Sequence, residues 1–592
     1  MTAGARGRPS EPSPLRRWLA PPFTAFIFLI HPLLAIYRPG GLLQDPGTGW
    51  HLVTGRLILD TGSIPARDPF SYTAAGHEWI NLAWLFEAAG ALLVRLGGLP
   101  LFATACVLVY AFIPVLVFRR ALRMGAGLAP ALGLTVLAYL VLLSHAIARP
   151  HIVTSVFFAL VLERLDDFQN GRLPARALWW LPLLALLWAN LHGGFLVGFA
   201  LGGIFAGVAA FRAVVFRDAE ERRRALVFAA VLVAMGLATL VNPHGPRLHT
   251  AVQEYLSQRS IRYFHEFQSP DFLAGSVPVL SFEALALMLV FVLGLGGRRL
   301  PWVEMALLVF FLHQALHSAR HMSLFAIVAA PIIARETTPW FEARRPALRD
   351  RWREIAREQA ALRSPLVYFP ALCTLFVALS LAGALPFSRT LDDLQLSRGA
   401  AEFIATHQDR FGRLFNTDGL GGSLVYRFWP GLRIFVDDRT AVYGDDFMLR
   451  RYYRVLYGQR GWRKVLEKYG VTAAVVDLGT QCAALLRTSP EWELAYEDRL
   501  NAIFLRRGAS GHASDPGLVN PIRSPTLNPT AARRRESFRL WNTRVSPAAA
   551  GGGPVSARSA IPPRTRRRAR SGPRGASGTD SRRCWSPTRC SG

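Results

Sequence analysis

Apolar runs recur through residues 20–387, and the gaps between them are of two alternating kinds. A membrane span needs roughly 20 apolar residues, with about 17 as a lower limit. Eleven segments approach or meet that length: 20–37, 99–118, 127–146, 150–164, 176–190, 194–215, 225–241, 279–296, 301–316, 319–335 and 366–387. One set of gaps is arginine-rich, with Arg16-Arg17, Arg119-Arg120, Arg222-Arg223-Arg224, Arg298-Arg299 and Arg344-Arg345. The other holds compact polar motifs: QDPGTGWHL, ARPH, NLHGG, NPHG and SARH. Basic loops are retained in the cytoplasm. The pattern therefore predicts arginines inside and all five motifs together on the outer face.

With the N-terminus cytoplasmic, one span must lie between residue 38 and the cluster at Arg119. Segment 99–118 fits that role. Segment 79–97 carries Asn81, Glu87 and Arg95 and is expected as a helix in the outer interface. The loops ERLDDFQNGR, FRDAEERRR, GGRR and 335–363 then face inward, and segment 366–387 delivers residues 388–506 to the outside. The first apolar segment has the basic start of a signal peptide. No small-x-small site follows it, only Tyr37-Arg38-Pro39-Gly40-Gly41, so it is expected to be retained.

Beyond residue 388 the apolar runs shorten to strand length in RIFVDD, TAAVVDLG and NAIFLRR. Helical patterns, LSRGAAEFIATHQ and GWRKVLEKYG, lie between them. The expected fold is a mainly α, polytopic membrane protein of about eleven transmembrane helices with a small C-terminal α/β domain. Its parts are a cytoplasmic segment 1–18, a membrane domain 19–387 with first outer loop 38–98, an extracytoplasmic α/β domain 388–506, and a basic tail 507–592. The tail is rich in Pro, Ser, Gly and Arg and cannot bury a core.

Composition agrees. The 592 residues are 51% hydrophobic, with a mean hydropathy of +0.23, as in a cell-membrane protein. Roughly half of the net charge of +28 lies in the tail after residue 507 and most of the rest in the loop arginines that set membrane orientation, so no nucleic-acid partner is expected. The five cysteines show neither metal spacing nor a disulfide framework. No G-x-G-x-x-G after a strand, P-loop or G-x-S-x-G turn appears.

Candidate chemistry lies in the outer motifs. Asp45 follows the first span in a Pro-Gly context, placed either as a general base or as a helix cap. Segment 48–60, which carries His51, is patterned as an interfacial amphipathic helix. Asp68 is a second candidate carboxylate or a turn former before Pro69. Glu87, among apolar neighbours, reads as a buried hydrogen-bonding residue.

Arg149, beside His145 and His151, and Arg320, beside His321, are charges at helix ends that need a partner. A phosphate suits their guanidinium forks, and lipid headgroups are the alternative. Asn190 and His192 sit in the glycine-rich WANLHGG connection, and Asn242 and His244 in a helix-ending turn. The histidines lack metal spacing on a helix, so no metal site or cofactor is expected. The acidic stretch with Asp437, Asp438, Asp445 and Asp446 reads as turns at strand ends or as an acceptor-binding surface, and a divalent ion there has no support.

The run DPGTGWHLVTGRLILDTGSIPARDPFSYT, followed by WLFE, ARPH, WANLHGG, NPHG and SARH, resembles bacterial polytopic proteins related to the GT-C glycosyltransferases, over about residues 18–506. That superfamily includes protein mannosyltransferases and aminoarabinose lipid A transferases. The resemblance implies an inverting transferase that takes a sugar from a polyprenyl-phosphate carrier and passes it to a lipid or envelope-polymer acceptor. It implies an acidic base in the first outer loop, best matched by Asp45. Gly47 stands where many relatives carry a second acid, which leaves the base open between Asp45 and Asp68. The other expectations are a transporter or flippase of an envelope glycolipid, and a non-catalytic envelope assembly protein. A transporter would be expected to show internal repeats and mid-membrane charge, and neither pattern is present.

Overall fold

The computed structural model describes residues 14–295 and 299–508. Arg298, residues 1–13 and the tail from 509 onward lie outside the described residues. Each of the eleven apolar segments falls largely on an α-helix: Phe23–Tyr37, Trp84–Arg123, Leu128–Leu142, His151–Gln169, Leu181–Leu191, Leu196–Val215, Ala219–Thr239, Val277–Leu295, Trp302–His317, Met322–Arg344 and Pro365–Leu381. Five helical stretches among the described residues are long and apolar enough to cross a membrane. Six are, if Pro346–Ala360 and Pro365–Leu381, bent by 75°, count as one. Some of the others are short, such as Leu181–Leu191, and some end in charge, such as His151–Gln169 with Glu163, Asp166 and Asp167. Leu183, Leu226, Val233, Leu287, Val290 and Val309 are left exposed on these helices. Outward apolar side chains at this density suit a lipid environment.

The helix Trp84–Arg123 is broken at Gly97–Gly98, where Gly98 has φ 72°, a left-handed angle that glycine adopts without strain. Pro100 follows. The break falls between the segments expected to be interfacial and spanning.

The two kinds of loop collect at opposite ends of the helices. At one end Arg123 pairs with Glu163 and, at 3.0 Å, with Asp167. Gln169 reaches Glu221 at 3.3 Å, Arg212 reaches Glu221 at 3.2 Å, and Arg335 meets Glu304 at 2.6 Å. At the other end His151, Gly194, Gln314 and Ser323 line one cavity. The helices His151–Gln169, Leu196–Val215, Trp302–His317 and Met322–Arg344 each connect one end to the other.

Residues 388–508 carry a four-stranded sheet: β1 Arg413–Asn416, β2 Val471–Asp477, β3 Trp492–Glu497 and β4 Asn501–Arg506, in the order β1-β2-β4-β3. β1 runs parallel to β2, and the other pairs are antiparallel. Helices Arg398–Thr406 and Trp462–Lys468 fall in the two helical patterns. RIFVDD does not form a strand of this sheet. Its backbone is satisfied elsewhere: Ile434 exchanges hydrogen bonds with Phe70 and Tyr72 of the first loop, and the Asn416 side chain accepts from Phe435 at 2.8 Å. The glycine-rich stretch 416–428 forms the helix Asp418–Phe428.

The helix Thr48–Thr61 also departs from expectation. It does not lie exposed in the interface, because most of its first two turns are buried. Leu52 belongs to the core of the bundle, whereas Trp50 and Val53 share a core with the sheet. Two glycines make the sandwich possible. A Cβ at Gly55 would collide with the Glu87 carbonyl, and one at Gly49 with the Gly422 carbonyl. The first loop therefore joins the bundle to the sheet-bearing region.

Candidate active site

A cavity of about 430 Å³ lies where the motif loops meet. Its polar wall includes His51, Glu87, Arg149, His192, Arg320 and Asp438. Its apolar wall includes Leu196, Val197, Ala200, Phe310, Phe311 and Leu324, from helices that run toward the other end of the bundle.

Arg149 is the centre of the polar wall. Its Nε meets Asp45 Oδ1 at 3.0 Å, and its Nη2 meets Asp438 Oδ2 at 2.8 Å. Asp45 is buried behind the arginine and also accepts the Gly47 N–H at 2.7 Å. Burial pushes its carboxyl up to about 6, against the pull of Arg149 and with a further push from Asp438. Asp438 accepts a 2.6 Å hydrogen bond from Trp50 Nε1 on its other oxygen.

Asp68 is held elsewhere. It pairs with Arg439 at 2.8 Å and accepts from the Phe70 and Ser71 N–H groups and the Ser71 hydroxyl. Arg439 also pairs with Asp437 at 2.6 Å and lies against Trp50, Phe70 and Trp79. This buried knot fastens the first loop to residues 437–439, and Asp68 is not among the residues lining the cavity. A charged cluster so buried is strongly destabilised if one partner is lost.

The histidines are set by their neighbours. His51 Nδ1 lies 2.8 Å from Glu87 Oε1, and Asn81 donates to the other Glu87 oxygen at 2.5 Å. His192 Nδ1 accepts from the Gly194 N–H and the Thr154 hydroxyl, which itself accepts from Trp188 Nε1. The ring therefore carries its proton on Nε2. Burial, then Arg320 and Arg149, push its pKa down to about 3, so it is a neutral donor. His151 Nε2 donates to the His145 carbonyl at 2.8 Å.

Arg320 stands over the Phe267 ring, 4.7 Å from its centroid, and 3.7 Å from Glu266. His321 Nδ1 is buried without a hydrogen-bond partner. Among the described residues no three His, Cys, Asp or Glu side chains could hold a metal ion together.

His51, Arg149, His151, His192, Arg320 and His321 thus line one cavity, with Asp45 directly behind Arg149. Asn190, Asn242 and His244 are not among its lining residues. Asn190 ties helices together by accepting from Trp84 Nε1 and donating to the Leu186 and Val241 carbonyls. Asn242 closes its own turn through the His244 N–H and the Gly245 carbonyl.

Sequence reasoning did not single out Glu266 or Arg439, and it gave Asp438 only turn or acceptor-surface roles. For Arg439 the available signal was a lone arginine beside Asp437 and Asp438 in an acidic stretch, and Glu266 carried no such mark. Of the four aspartates in the acidic stretch, Asp437 and Asp438 serve the knot and the cavity. Asp445 accepts the Arg259 and Ser260 N–H groups, and Asp446 pairs with Arg451 on the surface.

No family model matches the chain, and no curated protein does. Among solved structures it is similar to the oligosaccharyltransferase AglB of Archaeoglobus fulgidus in complex with an inhibitory peptide and a dolichol-phosphate. The identity is 12% over 77% of this chain and 69% of that one, with a TM-score of 0.49. It is also similar to ArnT from Cupriavidus metallidurans bound to undecaprenyl phosphate, at 13% identity over 83% of this chain and 98% of that one, with a TM-score of 0.45. The apo state of the same ArnT gives 15%, 81%, 97% and 0.43 in the same order.

Proposed function

We propose that this chain is an integral-membrane glycosyltransferase that moves a sugar from a polyprenyl-phosphate carrier to a lipid or envelope-polymer acceptor on the outer face of the membrane. The observation that carries this reading is the composition of one cavity. Two arginines and a neutral histidine donor stand at its polar end, and Leu196, Val197 and Phe311 of the apolar helices line the rest. An amphiphile with a phosphate head and an isoprenoid chain matches both parts. Guanidinium groups bind phosphate through charge-assisted hydrogen bonds and stabilise it as it leaves.

A carboxylate held by Arg149 supplies the general base, either Asp45 of the first outer loop or Asp438. It takes the proton of the acceptor hydroxyl as that oxygen attacks the anomeric carbon. Asp68, saturated by Arg439 and Ser71, holds the fold around them.

The test is transfer of radiolabel from undecaprenyl-phosphate sugars to membrane lipid or polymer by membranes carrying the full chain. Label should move with one of them and stop in Arg149→Ala. No transfer from any of them, together with no binding of undecaprenyl phosphate by the purified protein, would overturn the proposal.

A further inference from the structure

The two carboxylates on Arg149 are not equivalent. Asp45 is sealed behind the guanidinium and is not among the residues lining the cavity, whereas Asp438 is. Asp438 comes from the sheet-bearing region, far along the chain from the motifs. Its place is prepared by a glycine. A Cβ at Gly47 would stand 2.9 Å from Asp438 Oδ2, 3.0 Å from Asp45 Oδ1 and 3.2 Å from Trp50 Nε1. A side chain at position 47 would press on all three groups. Trp50 and Arg149 fix the two oxygens of Asp438 at 2.6 and 2.8 Å, so its carboxylate is oriented before any substrate arrives.

Resting on the transferase reading, we propose that Asp438 is the catalytic base and that Asp45 is a positioning residue acting through Arg149. The acceptor hydroxyl loses its proton to Asp438 as its oxygen bonds to the anomeric carbon. The bond from that carbon to the phosphate oxygen breaks, and its electron pair leaves with the polyprenyl phosphate. Asp45 holds the Nε side of Arg149 and so keeps the guanidinium turned toward both Asp438 and the leaving phosphate. The active site is then incomplete without residues 437–439, which explains why the first loop is fastened to them by Arg439.

The experiment uses the purified full chain in nanodiscs, with the undecaprenyl-phosphate sugar that supports transfer. Asp438→Asn should lower kcat by about 100-fold or more, the range of a lost general base, while binding of undecaprenyl phosphate stays close to wild type. Asp45→Asn should lower kcat less and weaken that binding. Asp445→Asn, which disturbs a different contact between the first part of the chain and the sheet-bearing region, should stay close to wild type. Trp50→Phe removes a hydrogen bond that orients the Asp438 carboxylate and should lower kcat more than it weakens lipid binding.

Full kcat in Asp438→Asn, or full kcat in Trp50→Phe, would overturn the assignment of Asp438 while leaving the transferase reading intact. A wild type that neither transfers nor binds would overturn the transferase reading itself. Loss of lipid binding and of thermal stability in Asp438→Asn in step with the loss of kcat would overturn the assignment too and give Asp438 a structural role only.

Discussion

Arg149 and Asp438 lie 289 residues apart in the chain and form a 2.8 Å ion pair on the wall of one cavity. The arginine comes from a turn between apolar helices, and the aspartate from the sheet-bearing region. Asp45 shares the same guanidinium from behind. The chemistry proposed for this chain is concentrated in that trio.

Replacing Arg149 with Ala should weaken binding of undecaprenyl phosphate. A hydrogen bond to a charged group contributes about 1.5–3 kcal/mol, so the loss should be roughly 10- to 150-fold in Kd. Arg149→Lys should recover only part of it, because an ammonium cannot span two carboxylates and a phosphate as a fork does. Titration of the lipid into purified protein reads both variants.

Arg439→Ala should unfold the junction between the first loop and the sheet. It would leave Asp68 and Asp437 buried without their partner, at a cost of about 3–5 kcal/mol. The readout is a lowered Tm, together with faster proteolysis within residues 62–80. Asp446→Asn, on the surface, should leave Tm unchanged.

Gly55→Ala should destabilise the packing of Thr48–Thr61 against Trp84–Arg123, because its Cβ would meet the Glu87 carbonyl. Overpacking of this kind costs about 1–3 kcal/mol, and here the obstacle is backbone. Thermal melting and the Arg149→Ala lipid titration together separate this effect from a loss of chemistry. Gly55→Ala should lower Tm and leave lipid binding by the folded protein close to wild type, whereas Arg149→Ala should weaken binding by the folded protein and also lower Tm, because Asp45 and Asp438 lose their shared cation.

Acid should loosen the loop around Glu266. Burial acts to raise its carboxyl, but Arg320 and Arg149 outweigh burial and hold it down at about 2, below the ordinary 4.5. A depressed carboxyl contributes stability that is present above its unfolded pKa and lost as pH falls through the folded one. Between those two values the wild-type Tm should therefore drop more steeply than that of Glu266→Gln. Equal slopes would count against the Glu266–Arg320 contact.

Sidedness has its own test. Cysteines introduced at Glu78 and Leu273, both exposed near the cavity end, should react with impermeant reagent from outside intact cells. Cysteines at Arg222 and Arg351 should react only after permeabilisation. Labelling of both pairs from the same compartment would break the alternation on which the outer-face assignment rests.

Much of the architecture was legible in the sequence, because hydrophobic periodicity and charge sorting are local properties. Apolar runs close their own backbone hydrogen bonds as helices, so all eleven appear. Polar motifs at helix ends, such as ARPH and SARH, converge because alternate connections return to the same end. The span count was less legible. Length and apolarity alone qualify five stretches, or six with the bent pair, because packed helices tolerate polar ends that an isolated span would not.

Within the site, the sequence determined which residue types stand ready. Asp45, His51, Arg149, His192 and Arg320 could be named from helix-end charge and glycine context. Only the tertiary structure decided their partners. It buried Thr48–Thr61 between bundle and sheet, turned RIFVDD into a segment paired with the first loop, spent Asp68 on Arg439, and brought Asp438 to Arg149. Ion pairs and glycine-permitted close approaches depend on where distant backbone segments cross. That crossing is fixed by the packing of the whole chain and leaves no mark in the local pattern of any one segment.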